Sequence, residues 1–491
     1  MRGDKEMSVK ENNDKQVAIK KLKRELPLKT KIGYGTPGLA TLFTFTMFTT
    51  YGLYFFTDVV GLSAAFAGII MMIGTLWDAV TDPLVGMISD KRDPKKGRRR
   101  PFMFWIAIPF GIATWLLFTD FGFGTTATRI YFIIVAIFFY TSQTLIDVPY
   151  TALSGEMTLD YDERSTLGSI RIFWALFGVI IGGPVIFFTS QLQSFEFITS
   201  QSMAWSVAFL IYGIICTISI FIGWKSTKGY EFEEATELHD FSIKAITHGP
   251  LKNKSFLFVT AGFIFGILAQ AVFLGSMVYY MQYNLQLSEG QIGLANTLMW
   301  IIGVAWVYPV NWWSQKFSKK VSWNLSFGIW GVSMIVFPWL INTEGNVVSV
   351  IIMFGLLVVG LNALYQVIYA LIPDCVEVDE LISGERREGV YYSLATVSQK
   401  VAAAVAISLL GAVIGLVGYI PGEVQTPETL MGLKLIFTIG TAVFCLLSVV
   451  MVSMSPLSKQ RHKEVVDAIE RKEKGEKVNL SEFKDLYVGK I

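Results

Sequence analysis

Asp78 and Asp82 of the segment WDAVTDPLVG lie four residues apart in an otherwise apolar stretch. On a helix that spacing sets both carboxylates on one face. Two anions in a poorly solvated place do not both stay charged unless a cation lies between them. Oxygen ligands suit a hard cation, Thr81 adds a hydroxyl, and Pro83 cannot donate to the carbonyl of Ala79, which frees one more oxygen. These residues predict a site for Na⁺ or H⁺, with a structural ion pair to a cation on another helix as the competing reading.

Three more ionisable residues stand in apolar sequence: Asp147 in TLIDVPYTAL, Arg171 in RSTLGSIRIFWALFG and Lys400 in YYSLATVSQKVAAAVAI. A charge at membrane depth costs at least a few kcal/mol unless it pairs or faces water, so these three are expected to face a shared polar cavity. A carboxylate and a guanidinium together suit vicinal hydroxyls or a ligand carboxylate; a structural Asp147–Arg171 salt bridge is the alternative. Lys400 is a point charge able to exchange partners with the Asp78/Asp82 pair. Tyr365, in NALYQVIYALIPD, is the aromatic expected to line the cavity. Arg164, with Asp162 and Glu163, is expected at an inner gate or in a surface network, and Asp90 and Arg98 of the basic segment 86–101 are expected at the same gate.

The elements that hold these residues must be membrane helices. Hydrophobic residues make up 53% of the 491 and charged ones only 16%, the latter crowded into short segments between long uncharged stretches. A spanning helix takes about 20 apolar residues, and twelve such stretches can be counted. The expected architecture is therefore all-α and integral to the membrane, with two six-helix bundles at 32–224 and 254–454. They are flanked by an N-terminal tail at 1–31, a charged linker at 225–253 and a C-terminal tail at 455–491. Lys and Arg gather in the even-numbered connections, so the positive-inside rule puts both tails in the cytoplasm. The basic loops after the second and eighth spans match in position, and paired halves about a midplane cavity are a transporter architecture. HKEVVDAIERKEKGEK is expected to form a solvated or membrane-surface helix.

The net charge of +2 implies no nucleic-acid partner, and the scattered Cys216, Cys375 and Cys445 make no metal or disulfide pattern. GYGTPG, residues 33–38, satisfies a dinucleotide-binding spacing but follows no strand, so helix packing explains it better. The glycosylation-like triplets at Asn253, Asn324 and Asn479 fall on the predicted cytoplasmic side or its boundary. The sequence shows no ATP-binding loop and no protease motif, and no cofactor is expected.

FFTDVVGLS (55–63), WDAVTDPLVG (77–86), the loop ending GRRRP, DVPY (147–150) and GYIP (418–421) resemble the glycoside, pentoside and hexuronide to cation symporter family. The resemblance covers all twelve spans and implies the major facilitator fold in the plasma membrane, as a monomer among membrane lipids. It implies that Asp78 and Asp82 bind the coupling ion, Na⁺ or H⁺, with Thr81, Thr144, Thr396 and Lys400 close by. It further implies that Asp147 bonds sugar hydroxyls, that Arg171 assists it and that Tyr365 is an aromatic wall. In gap-free matching, the family's sugar-binding acid on the first helix falls at Ala40, which cannot clamp a galactosyl hydroxyl. WDAVTDPLVG also resembles sodium-dependent lysophospholipid symporters, which supplies an amphipathic lipid as the runner-up substrate. A non-transporting receptor is the third reading. The implied mechanism is symport by alternating access.

Overall fold

The computed structural model describes residues 25–92, 97–158, 160–230, 249–340 and 347–488. Residues 1–24 of the predicted N-terminal tail lie outside these, as do 231–248 of the linker, with His239 and His248, and Lys95 and Lys96 of the basic loop. Twelve helices are long and apolar enough to cross a membrane among the described residues. They are α1 Leu28–Val59, α2 Ala64–Asp90, α3 Arg100–Leu117, α4 Thr125–Met157, α5 Asp162–Gly182, α6 Gln201–Ser226, α7 Lys254–Asn284, α8 Glu289–Lys316, α9 Lys319–Trp339, α10 Val347–Ser383, α11 Glu388–Leu416 and α12 Pro427–Met454. A thirteenth, α13, Lys459–Glu473, follows outside the spans.

Their ends sit where the side chains can satisfy the orphan amides of a first turn. Ser200 caps α6, Asn253 caps α7, Ser288 and Gln291 form a capping box on α8, and Thr426 caps α12. Two boundaries differ from expectation. α1 starts at Leu28, inside the predicted tail, because the ammonium of Lys31 is buried against Glu163 at 2.7 Å. α10 continues past the apolar run to Ser383 and ends at Gly384, whose φ of 75° suits a glycine. That extension is covered by the C-terminal segment. Val378 and Leu381 of α10 form a buried cluster with Val465 and Ala468 of α13 and with Phe483 and Leu486. One face of α13 is therefore packed on protein, while the rest of this helix, expected to be solvated or at the membrane surface, stays exposed or half-buried. Asn253 is fully buried and donates to the carbonyl of Cys375 at 2.7 Å, while its backbone forms an antiparallel bridge with Tyr487.

By proximity the chain divides into two units: Met1–Phe48, Trp77–Gly182 and Gln191–Leu238 make one, and Thr49–Leu76, Gly183–Ser190 and His239–Ile491 the other. In the first unit, glycines let α1 and α5 approach closely. A Cβ on Gly38 would lie 2.7 Å from the carbonyl oxygen of Arg171, and one on Gly178 would lie 2.6 Å from that of Leu39. The GYGTPG segment is thus a helix-packing surface: α1 breaks its hydrogen bonding at Pro37, and Thr36 donates its hydroxyl to the Ser219 carbonyl of α6 at 2.8 Å.

Candidate functional site

In the first unit, Asp78 lies near the middle of α2, about 20 Å along the axis from Ala64. Thr144 of α4 donates its hydroxyl to one carboxylate oxygen of Asp78 at 2.8 Å, and the hydroxyl of Thr81 lies 3.1 Å from that of Thr144. Each hydroxyl has one proton. Thr144 spends its proton on Asp78, so Thr81 must supply the one shared between the two, or give it to the Trp77 carbonyl 3.0 Å away. Either way, lone pairs of both threonines stand beside a carboxylate. Asp82 is half-buried one turn further along the same helix. A second bond fixes the register of the two helices: the Trp77 indole donates to Thr141, one turn before Thr144, at 2.8 Å. The Asp78 carboxylate and the two hydroxyls bring together oxygen donors of the kind a hard monovalent cation takes, with Asp82 one turn further along α2.

Asp147 follows Thr144 by three residues on α4 and is half-buried. Arg171 of α5 donates to Thr151 at 2.9 Å, and its guanidinium carbon lies 6.0 Å from the Tyr150 ring centroid. Tyr150 in turn donates to the Gly35 carbonyl at 3.2 Å and packs on Tyr34, with centroids 5.2 Å apart. Arg171 of α5 thus stands at an aromatic surface built by Tyr34 of α1 and Tyr150 of α4, with Asp147 one turn before Tyr150 on α4. Ala40 of α1 is fully buried, its carbonyl accepting from Thr44 at 2.9 Å. Beside it the structure sets a residue that sequence reasoning missed. Gln143 accepts from Thr44 at 3.0 Å and donates to the Thr41 carbonyl at 3.2 Å. Its only signal in the sequence was a lone amide in the run FFYTSQTLID.

In the second unit, Tyr365 of α10 donates to the side-chain oxygen of Gln270 on α7 at 2.9 Å, and 38% of Tyr365 remains exposed. One turn on, Tyr369 stacks on Tyr392 of α11 with centroids 6.2 Å apart and planes 19° apart. Thr396 donates to the Tyr392 carbonyl at 2.9 Å, and Lys400 follows one turn later, half-buried. Gln270, Tyr369 and Tyr392 were not singled out from the sequence, because aromatic and amide residues recur in many spans without marking a face.

The residues expected at an inner gate are only partly brought together. Asp90 bonds to Arg99, which also donates to Glu156 at 3.0 Å, whereas Arg98 lies 3.9 Å from Glu156. Asp162 is exposed, and Arg164 donates to the carbonyls of Thr158 at 2.8 Å and Gly155 at 3.2 Å. The acid of that segment that pairs with a helix partner is Glu163, through Lys31.

A family model described as MFS/sugar transport protein matches residues 33–459. The chain is 28% identical over 469 residues to the uncharacterized symporter YnaJ of Bacillus subtilis (strain 168), covering 94% of this chain and 98% of that one. It is 26% identical over 467 residues to the glucuronide carrier protein homolog of Escherichia coli (strain K12), covering 94% and 100% respectively. Among solved structures, it resembles a bacterial homolog of the human lysosomal transporter Spinster, with TM-score 0.68, 12% identity and 91% and 99% of the two chains covered. It also resembles the nucleoside transporter NupG, with TM-score 0.63, 12% identity and 88% and 100% covered. At such identity the two structures speak for the fold alone.

Proposed function

Starting from a chain that belongs to the MFS/sugar transport protein family, and so is a multi-pass membrane transporter and not an enzyme, we propose that it is a plasma-membrane symporter. It imports a glycoside, pentoside or hexuronide with Na⁺ or H⁺ by alternating access, and both termini are cytoplasmic. The coupling ion binds at Asp78 and Asp82 with Thr81 and Thr144, and Thr396 joins the set from α11. The sugar is held by Asp147 and Arg171, with Tyr365 as an aromatic wall and Lys400 as a further cation.

The observation that carries this reading is the Thr144 hydroxyl donating to Asp78 beside Thr81, at the middle of a span where an uncompensated carboxylate is costly. A site that binds a cation there changes the free energy of a neighbouring sugar, and the sugar changes that of the cation by the same amount. The guanidinium of Arg171 gives a hexuronide carboxylate a bidentate partner, in keeping with the name of the glucuronide carrier homolog. Asp90, Arg98, Asp162 and Arg164 belong to the inner gate in this reading, together with Arg99, Glu156 and the Lys31–Glu163 pair.

The experiment is uptake by proteoliposomes of a radiolabelled panel of glycosides, pentosides, hexuronides and a lysophospholipid under separately imposed Na⁺ and H⁺ gradients. Uptake of one sugar driven by one gradient is expected, and Asp82→Asn should remove the gradient dependence while leaving the protein folded. Unchanged ion dependence in that variant would remove the acid from the site. Lysophospholipid uptake with no sugar uptake would replace the substrate assignment.

A further inference from the structure

Two motifs used in tracing the family resemblance, FFTDVVGLS and GYIP, have no part in the ion or sugar sites, yet the structure joins them. Residues 55–63 and 280–288, FFTDVVGLS and YMQYNLQLS, are the same backbone motif used twice. Each begins with a π-helical turn, Phe55–Val59 and Tyr280–Asn284, that ends a spanning helix. Each then closes with matching bonds. Val60 donates to the Phe55 carbonyl at 3.0 Å as Leu285 does to that of Tyr280 at 3.1 Å, and Leu62 donates to Phe56 at 2.9 Å as Leu287 does to Met281 at 3.1 Å. Each has a positive φ at the same place, 80° at Gly61 and 50° at Gln286, and then Leu-Ser before the next helix.

Where two copies of a motif are related by a two-fold axis, residues at equivalent positions touch each other beside that axis. Here two such pairs do. Tyr54 and Tyr279 meet edge to face at 6.1 Å, and Tyr283 donates to the carboxylate of its counterpart Asp58. The repeat is broken where it matters chemically, with an acid in one copy and a phenol in the other. Tyr419 of the GYIP segment donates to the same oxygen of Asp58 at 2.5 Å and lies 3.1 Å from the Tyr283 hydroxyl. Thr57, fully buried, donates to the other oxygen at 2.6 Å and is itself 2.7 Å from the hydroxyl of Tyr279.

We propose that Asp58, Tyr283 and Tyr419 form a latch that closes the end of the transport path opposite the basic loops, and that it parts and re-forms in every transport cycle. The inference rests on the alternating-access reading. A half-buried carboxylate beside such an axis is a poor choice for a permanent joint, since apolar side chains of similar volume would bind as well with less desolvation cost. It is a good choice for a joint that opens, because the acid and both phenols regain water as they separate, whereas an apolar joint would expose its surface. Asp58 then works in transport without touching ion or sugar.

The test is double electron–electron resonance between spin labels on Ser63→Cys and Val424→Cys, both at exposed positions, in a background with the three native cysteines replaced by serine. Distances are measured with and without Na⁺ and methyl glucuronide, and uptake is measured in the same preparations. The Tyr283→Phe/Tyr419→Phe variant deletes only two oxygens, and Asp58→Asn keeps an acceptor. Each is expected to raise the long-distance population about ten-fold, the scale of losing hydrogen bonds to a charged acceptor, and to slow uptake without lowering Na⁺ binding. Populations unchanged in both variants, in a parent whose distances respond to Na⁺ or sugar, overturn the latch alone. A parent whose distances respond to nothing overturns alternating access at this end, and the latch with it.

Discussion

Removing the Thr144 hydroxyl isolates one contact of the ion site. Thr144→Val leaves a carboxylate oxygen of Asp78 without the donor now 2.8 Å away, and a lost bond of that kind costs about 1–3 kcal/mol. The apparent affinity for the coupling ion in uptake assays is expected to fall by about ten-fold, since about 1.4 kcal/mol corresponds to that factor, with sugar binding in the absence of the ion little changed. An unaltered ion titration would show that the hydroxyl only packs. Asp147 makes the converse case: Asp147→Asn should weaken sugar binding by calorimetry while the ion titration holds. Some of this was legible from residue types alone. Asp78, Asp82, Asp147 and Arg171 declare themselves as charges in apolar sequence. Gln143 does not, because a neutral amide carries no comparable penalty, and its importance is visible only when Thr44 and Thr41 are seen to bond it.

The packing of elements sets where those side chains stand. Gly38→Ala would bring a Cβ to 2.7 Å from the backbone oxygen of Arg171, which cannot move as a side-chain tip can. The expected result is a loss of about 1–3 kcal/mol in stability, read as a lower thermal midpoint, with weaker sugar binding and an intact ion response. The docking of α13 on α10 gives a pH dependence. His462 lies 2.6 Å from Glu377 and 3.5 Å from Asp374, and Asp374 also takes Lys319 at 2.6 Å. The hydrogen bond to Glu377 holds His462 above its ordinary value of 6.5, against partial desolvation that works the other way. The docked form therefore gains most from His462 below about pH 6.5, and that gain is lost as pH rises through the raised value. Because the pair is partly exposed, the gain is about 0.5–1 kcal/mol after solvent screening. Amide exchange in α13 at Val465 and Ala468 should quicken with rising pH beyond its intrinsic rate, and His462→Gln should abolish the extra quickening.

At the scale of the whole molecule, the clustering of Lys and Arg in alternate connections predicts one orientation in the bilayer. Val424 is fully exposed in the connection between α11 and α12, and Glu476 is exposed beyond α13. A cysteine at Val424 is expected to react with an impermeant maleimide on intact cells, and one at Glu476 only after permeabilisation. The opposite pattern would invert the proposed topology and with it the direction of import. The two six-helix stretches read from the sequence and the two units of the structure also differ. Residues 49–76 and 183–190 group with the C-terminal half, and the linear order of spans contains nothing that would assign them there.

The sequence by itself determined the number of spanning helices, their all-α character and the identity of the charged residues that must be compensated. These follow from local composition and from the cost of charge in lipid, neither of which needs a partner to be known. Only the tertiary structure decided which partners compensate them. Three successive arginines, Arg98, Arg99 and Arg100, are equivalent in sequence, but the start of α3 aims Arg99 at Asp90 and Glu156 and Arg100 at the Trp224 carbonyl, 2.8 Å away. Asp58, at the edge of an apolar run, reads as a solvated helix end. The π-helical turn sets it half-buried against two tyrosines that lie 225 and 361 residues further along the chain. Pairings over such separations depend on how helices pack, and no local pattern of polarity specifies them.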